Sequence, residues 1–130
     1  MLSCAGLAWA LPQRTNDEGG STMAVVVEVD TFLVKMGELE GLMKAVEPEL
    51  KRFKAPAGTP SYRSWRTCSA PGNRLVNMVE WDSLADSEKW WVAWFADPGS
   101  KPHLERWYGA VVPGGSTEYW DLGSEVCGKC

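Results

Sequence analysis

Five of the eight tryptophans fall between Trp81 and Trp107, in the stretch WDSLADSEKWWVAWFADPGSKPHLERW. Each indole brings a broad apolar body and one N–H that needs an acceptor when buried. A crowd of them on one helical segment demands wide apolar surfaces to cover. A chain of 130 residues supplies one core for that purpose, hence one domain.

The elements that build the core can be read in order. Ala24 to Asp30 (AVVVEVD) is a β-branched run, a strand covered on both faces. Alternation sends Val25, Val27 and Val29 to one side and Val26, Glu28 and Asp30 to the other. A helix opens at Gly37 and runs to about Phe53. Its stripe is Leu39, Leu42, Met43, Val46, Leu50 and Phe53, with a kink expected at Pro48. Ser61 to Cys68 is a second strand, Ala70 to Asn73 a turn and Arg74 to Trp81 a third strand, making a hairpin. Ser83 caps a helix that carries Leu84, Trp90, Trp91, Trp94 and Phe95 and stops at Asp97-Pro98-Gly99. A short helix from about Pro102 to Tyr108 follows, with its proline in the first turn. Pro113-Gly114-Gly115 reads as a turn, and Thr117 to Leu122 as the last strand.

The order β-α-β-β-α-β is the ferredoxin-like α+β arrangement: a four-stranded antiparallel sheet, with two helices and a short third on one face. The first and third strands lie side by side at its centre. On this reading the second face carries Val26, Val76 and Met78, too apolar to leave in water. A homodimer with sheet faces opposed is the economical cover. The folded domain spans residues 23–123. Residues 1–22, polar and Gly-rich from Gln13 to Thr22, are expected to be a disordered tail or leader, and 124–130 a C-terminal tail.

Charge and composition exclude several classes. A net charge of −4 argues against nucleic acid as the main partner. The cluster Lys51, Arg52 and Lys54 sits where a helix C-terminus favours cations. No apolar run reaches the ~20 residues of a membrane span. The opening MLSCAGLAWALP lacks a basic n-region, which makes it a poor secretory signal and points to the cytoplasm. The four cysteines do not make a dense disulfide framework, and Cys127-Gly-Lys-Cys130 lies at the end of the chain, outside a thioredoxin-like context.

Glu28 to Leu39 (EVDTFLVKMGEL) resembles the first strand and turn of the NIPSNAP family, roughly E-L-R-T-Y-T-x-K-P-G-x-L. Glu28, Thr31, Lys35, Gly37 and Leu39 match; Asp30, Phe32 and Met36 replace the usual Arg, Tyr and Pro. The segment from Pro71 to Pro98 is similar to the family's hairpin and its E-F-E-S-L run, with Glu80, Ser83 and Leu84 matching and Trp81 in place of Phe. The resemblance extends over about Val25 to Leu122 and implies membership of the wider dimeric α+β-barrel group. That group includes cofactor-independent oxygenases, haem-degrading enzymes, isomerases and polyketide cyclases. It implies a pocket between helices and sheet or inside the dimer barrel. Fold alone does not fix function.

Within that frame, Glu28 and Glu80 are expected together in the dimer barrel as a general acid/base pair, with salt bridges to Arg63, Arg66 or Arg74 as the structural alternative. His103, the only histidine, is a candidate base or haem ligand, or else a surface or capping residue. It cannot by itself support a multi-histidine metal site. Trp65, Asn77, Trp91 and Tyr119 are candidate ligand-binding residues, and Asn77 shares a face with Leu75, Val79 and Trp81. The expected function is binding of a small apolar or aromatic molecule, with cofactor-free oxygenase, isomerase or cyclase chemistry. The alternatives are a non-catalytic interaction module that presents its tryptophan-rich helix, and a haem protein using His103.

Overall fold

The computed structural model describes residues 25–122. The elements are β1 (Val25–Val34), α1 (Leu39–Arg52), β2 (Ser64–Ala70), β3 (Arg74–Trp81), α2 (Leu84–Ala96), α3 (Lys101–Ala110) and β4 (Val111–Leu122). The strands form one antiparallel sheet in the order β2-β3-β1-β4, with β1 and β3 central, as the periodicity requires. The expectations for residues 1–22 and for the Cys127/Cys130 pair lie outside the described residues.

The helices cover one sheet face through two adjoining clusters. Val26, Val79, Trp81, Phe53, Trp90 and Trp94 make one; Val34, Leu42, Val46, Leu75, Trp107 and Ala110 make the other. The apolar stripe of α1 supplies Leu42 and Val46, and α2 turns Trp90 and Trp94 inward. The tryptophans of α2 therefore serve mainly as core. Ser83 caps α2 by accepting the Asp86 amide at 3.1 Å.

As the apolar stripe requires, α1 continues through Pro48 to Arg52. The proline lies on the exposed side of the helix, where the Lys44 carbonyl that loses its donor can be hydrated. Two expectations are corrected. First, Pro113-Gly114-Gly115 is no turn: β4 runs from Val111 to Leu122 and absorbs these residues as a bulge opposite Thr31–Leu33. Gly114 has φ +120, which suits glycine, and Gly115 lies so close to the Thr31 carbonyl that it leaves no room for a side chain.

The second correction concerns facing. Val26 pairs with Trp81 and Glu28 with Val79, whereas Glu80 pairs with Val27. Cross-strand partners share a face. Val26 and Glu28 therefore lie under the helices, and Glu80 lies on the second face with Val76 and Met78. The sequence reading gave these strands a register one residue out, and such a slip exchanges faces. The second face still holds an apolar cluster of Cys68 and Val76 with Val29, Ala70 and Met78. Val25, Val27 and Val76 are already buried within the single chain. Exposed apolar side chains gather instead on the outer strand β4: Val112, Tyr119, Trp120 and Leu122.

The β2–β3 hairpin is pinned to the end of β1 by Asn73. Its Nδ2 donates to the Val34 carbonyl at 2.6 Å and the Lys35 carbonyl at 3.1 Å, while its backbone holds φ 57. Glycine at this position keeps the conformation and loses the bonds; alanine loses both. Asn73→Gly is expected to cost about 1 kcal/mol, and Asn73→Ala about 1–2 kcal/mol more from the left-handed backbone. Urea denaturation midpoints check the order.

Candidate functional site

Two neighbouring rows of the sheet define the floor of the site. One row runs Thr67–Asn77–Asp30–Thr117 and the next Trp65–Val79–Glu28–Tyr119, each crossing all four strands beneath the helices. Glu28 and Asp30 are two apart on β1, so both carboxyls emerge on the same side. Both are buried.

Neutral donors hold the Glu28 carboxylate. Trp81 Nε1 and Ser87 Oγ donate to Oε1 at 3.0 and 2.8 Å, and Trp91 Nε1 donates to both oxygens at 3.0 Å. Ser87 and Trp91 lie on α2 and Trp81 ends β3, so one side chain fastens the helix to the sheet. Asp30 is hydrogen-bonded to Glu28 and Thr117. Burial, and then the bond to and negative charge of Glu28, push the Asp30 carboxyl up to about 9. At neutral pH Asp30 therefore keeps its proton.

Above this floor lies a partly open cavity of about 300 Å³. Its walls include Trp65, Trp90, Trp91, Trp94 and Trp107, with His103 and Tyr119 at the side. Trp65 Nε1 and Thr67 Oγ1 donate to Asn77 Oδ1 at 3.4 and 2.7 Å. Trp94 Nε1 donates to Glu49 at 2.9 Å, and Glu49 is ion-paired to Arg52 at 2.7 Å. Burial works to raise the Glu49 carboxyl, but the bonds from Arg52 and Trp94 prevail and bring it down. His103 is in ring contact with Trp94 at 5.8 Å and with Trp107 at 5.3 Å between centroids. Burial lowers its pKa, which favours the neutral imidazole. Burial raises that of Tyr119, whose hydroxyl is hydrogen-bonded to Ser87.

Of the residues singled out in the sequence, Glu28, His103, Trp65, Asn77, Trp91 and Tyr119 all border this cavity. Glu80 does not. It sits on the opposite face, near Arg63 at 4.0 Å and accepting from Ser64 at 3.4 Å, so it cannot act with Glu28 in one site. Burial raises its carboxyl, with Arg63 and Ser64 working against the shift. The partner that Glu28 does have, Asp30, was missed as a site residue. The signal was present: two carboxylates at i and i+2 inside a valine run must share a buried face. Ser87 and Glu49 had no such signal. No group of three or more His, Cys, Asp or Glu among the described residues could hold a metal ion. None of the helices there is long and apolar enough to cross a membrane.

The fold has clear relatives among solved structures. A conserved protein from Methanosarcina mazei superposes with a TM-score of 0.58 at 9% identity, over 78% of this chain and 95% of that one. A monooxygenase from Streptomyces coelicolor, solved in complex with nanaomycin D, gives 0.54 at 20% identity over 81% and 93%. An uncharacterized NIPSNAP domain protein from Burkholderia xenovorans gives 0.54 at 15% identity over 78% and 97%. No family model matches the sequence, nor does any curated protein. The fold is thus the ferredoxin-like α+β fold, which the monooxygenase and the NIPSNAP domain protein also adopt.

The raised Asp30 carboxyl links stability to pH. Unfolded, it loses its proton near 3.8; folded, it keeps it to about 9. Between these values the native state binds more protons than the unfolded one, so stability falls as pH rises, by up to about 1.4 kcal/mol per pH unit. Asp30→Asn removes this penalty while its amide can still donate to Glu28. Its stability relative to wild type is expected to grow by about 1 kcal/mol per unit between about pH 6 and pH 8 and to level off above about 9. Denaturant titrations at each pH check this.

Proposed function

We propose that the protein binds a small molecule with an aromatic or apolar body in the tryptophan-lined cavity, and that the Glu28–Asp30 pair exchanges a proton with it. The supporting observation is a carboxyl pair, buried yet bordering an open cavity of about 300 Å³, near the lower end of the size range for small-molecule pockets. A carboxyl whose pKa lies well above the usual range is suited to proton transfer near neutral pH. Handing the Asp30 proton to a ligand leaves two buried negative charges side by side, so the pair readily takes a proton back. Isomerisation and cyclisation need no more than such a shuttle. His103, neutral and part of the wall, is a second proton acceptor within the cavity. The nanaomycin D complex supports the fold's capacity to hold a small molecule.

The reading includes a homodimer. Among the described residues β4 is an outer strand with one unpaired edge, and it carries the exposed side chains Tyr119, Trp120 and Leu122. Such an edge invites pairing, and a second copy offers a matching one. The interaction-module alternative fares less well, because Trp90 and Trp94 point into the core.

2-Naphthol, a compact aromatic with one hydroxyl, is a suitable probe. Calorimetry is expected to give a Kd below about 1 mM. Leu104→Trp, which fills the cavity, should abolish binding, whereas Glu80→Gln, on the other face, should leave it unchanged. Undiminished binding to Leu104→Trp would place the ligand elsewhere and end this reading.

A further inference from the structure

We propose that the preferred ligand of this cavity is an organic cation: a quaternary ammonium or protonated amine on an aromatic or apolar body, seated among the indoles with its charge toward Glu28 and Asp30. The proposal rests on the reading of the cavity as a small-molecule site and names the chemical class it takes.

Three observations converge. The first is the charge of the lining. Its ionisable members are Glu28, Asp30, Glu49, His103, Tyr108 and Tyr119, and no lysine or arginine is among the described lining residues. Glu49 is already matched by Arg52. Glu28 and Asp30 have no cationic partner among the described residues. Among the described residues Glu28 is held by indole and hydroxyl donors and by the Asp30 carboxyl, none of which brings a positive charge. Burying a carboxylate without a counter-charge is costly, and a cation brought in by the ligand offsets that cost.

The second is how the tryptophans are used. The N–H groups of Trp65, Trp91 and Trp94 are taken by Asn77, Glu28 and Glu49. These indoles have no N–H left to donate to an anionic or carbonyl ligand. They offer carbon and π surface, which attracts cations. The third is density. Trp65, Trp90 and Trp91 are mutual neighbours and Trp94 adjoins Trp91, with centroids 5.0–5.7 Å apart, so several rings border one small space. Aromatic walls over an acidic floor are the arrangement that recognises ammonium groups.

Ligand charge then couples to protonation. Asp30 faces Glu28 on its own strand, Thr117 and Tyr119 on β4, and Asn77 on β3. Ser87 and Trp91 of α2 reach Glu28, Glu88 is near Tyr119, and His103 of α3 stands at the wall near Arg52 and Arg106. A cation placed beside Asp30 favours its ionised form, so binding expels its proton.

The test compares phenyltrimethylammonium with tert-butylbenzene, its uncharged isostere, by calorimetry on the wild-type chain. The cation is expected to bind at least about tenfold more tightly. Its affinity should rise from about pH 7 to about pH 9, with proton release visible as a dependence of the heat on buffer ionisation. In Asp30→Asn that pH dependence and proton release should vanish, whereas Glu80→Gln, on the other face, should keep both. Equal or tighter binding of the neutral isostere overturns the charge preference and leaves the cavity reading intact. If phenyltrimethylammonium, tert-butylbenzene and 2-naphthol all fail to bind a folded wild-type chain, both readings fall.

Discussion

The Glu28 carboxylate fastens the helical layer to the sheet, and much of the architecture follows from satisfying it. A buried carboxylate is tolerated only when its oxygens are hydrogen-bonded. Here one donor comes from the end of β3 and two from α2. Bonds to a charged acceptor are worth about 1.5–3 kcal/mol each, and together they fix where α2 sits over β1 and β3. The same need accounts for tryptophan rather than phenylalanine at Trp81 and Trp91: the ring fills the core while its N–H reaches the charge. Trp65 and Trp94 repeat the device toward Asn77 and Glu49. The tryptophan crowd is thus a core with polar anchor points.

Asp30 works against that economy. Placed beside Glu28 in the same desolvated row, it stays folded only by keeping a proton that free aspartate loses. A residue there without a carboxyl would avoid the penalty. A locally unfavourable group bordering a cavity is where a chain sets stability against function. The surrounding packing supports this pair: Val79, opposite Glu28, and Trp81, which donates to it, are fully buried.

The topology was legible because it rests on periodicity. The stripe from Leu39 to Phe53, the cap at Ser83 and the turn before Arg74 are local signals, and each falls close to its observed element. The pairing of β1 with β3 is not local. Each strand's alternation was read correctly, but nothing within either says whether Val26 pairs with an even or an odd residue of β3. Both faces carry valines, so hydrophobicity did not decide, and Glu80 was placed beside Glu28 when it lies behind it. Asn77 was legible: a polar residue in register with Leu75, Val79 and Trp81 had to border something polar. Asp30 is two residues from Glu28 in a strand, so alternation alone puts both carboxyls on one face, but only the helices packed over them make that face a desolvated one. The bulge at Pro113–Gly115 was hidden because a Pro-Gly-Gly run is ordinarily a turn, and only its seat against Thr31 makes it part of a strand.

The two central glutamates show how far environment outweighs residue type. Glu80 and Glu28 are both nearly inaccessible to solvent, on adjacent central strands of one sheet. Glu80 has the guanidinium of Arg63 within 4.0 Å and a serine hydroxyl, the setting of an ion pair on a sheet face. Glu28 has indoles, a hydroxyl and a second carboxyl, all without positive charge. One arrangement is electrically closed and has no need of a further group. The other has no counter-charge among the described residues and relies on the proton that Asp30 keeps; the cationic ligand proposed above would supply that charge. The side of the sheet on which each carboxylate falls therefore determines whether it is structural or available for chemistry, and the strand register sets that side.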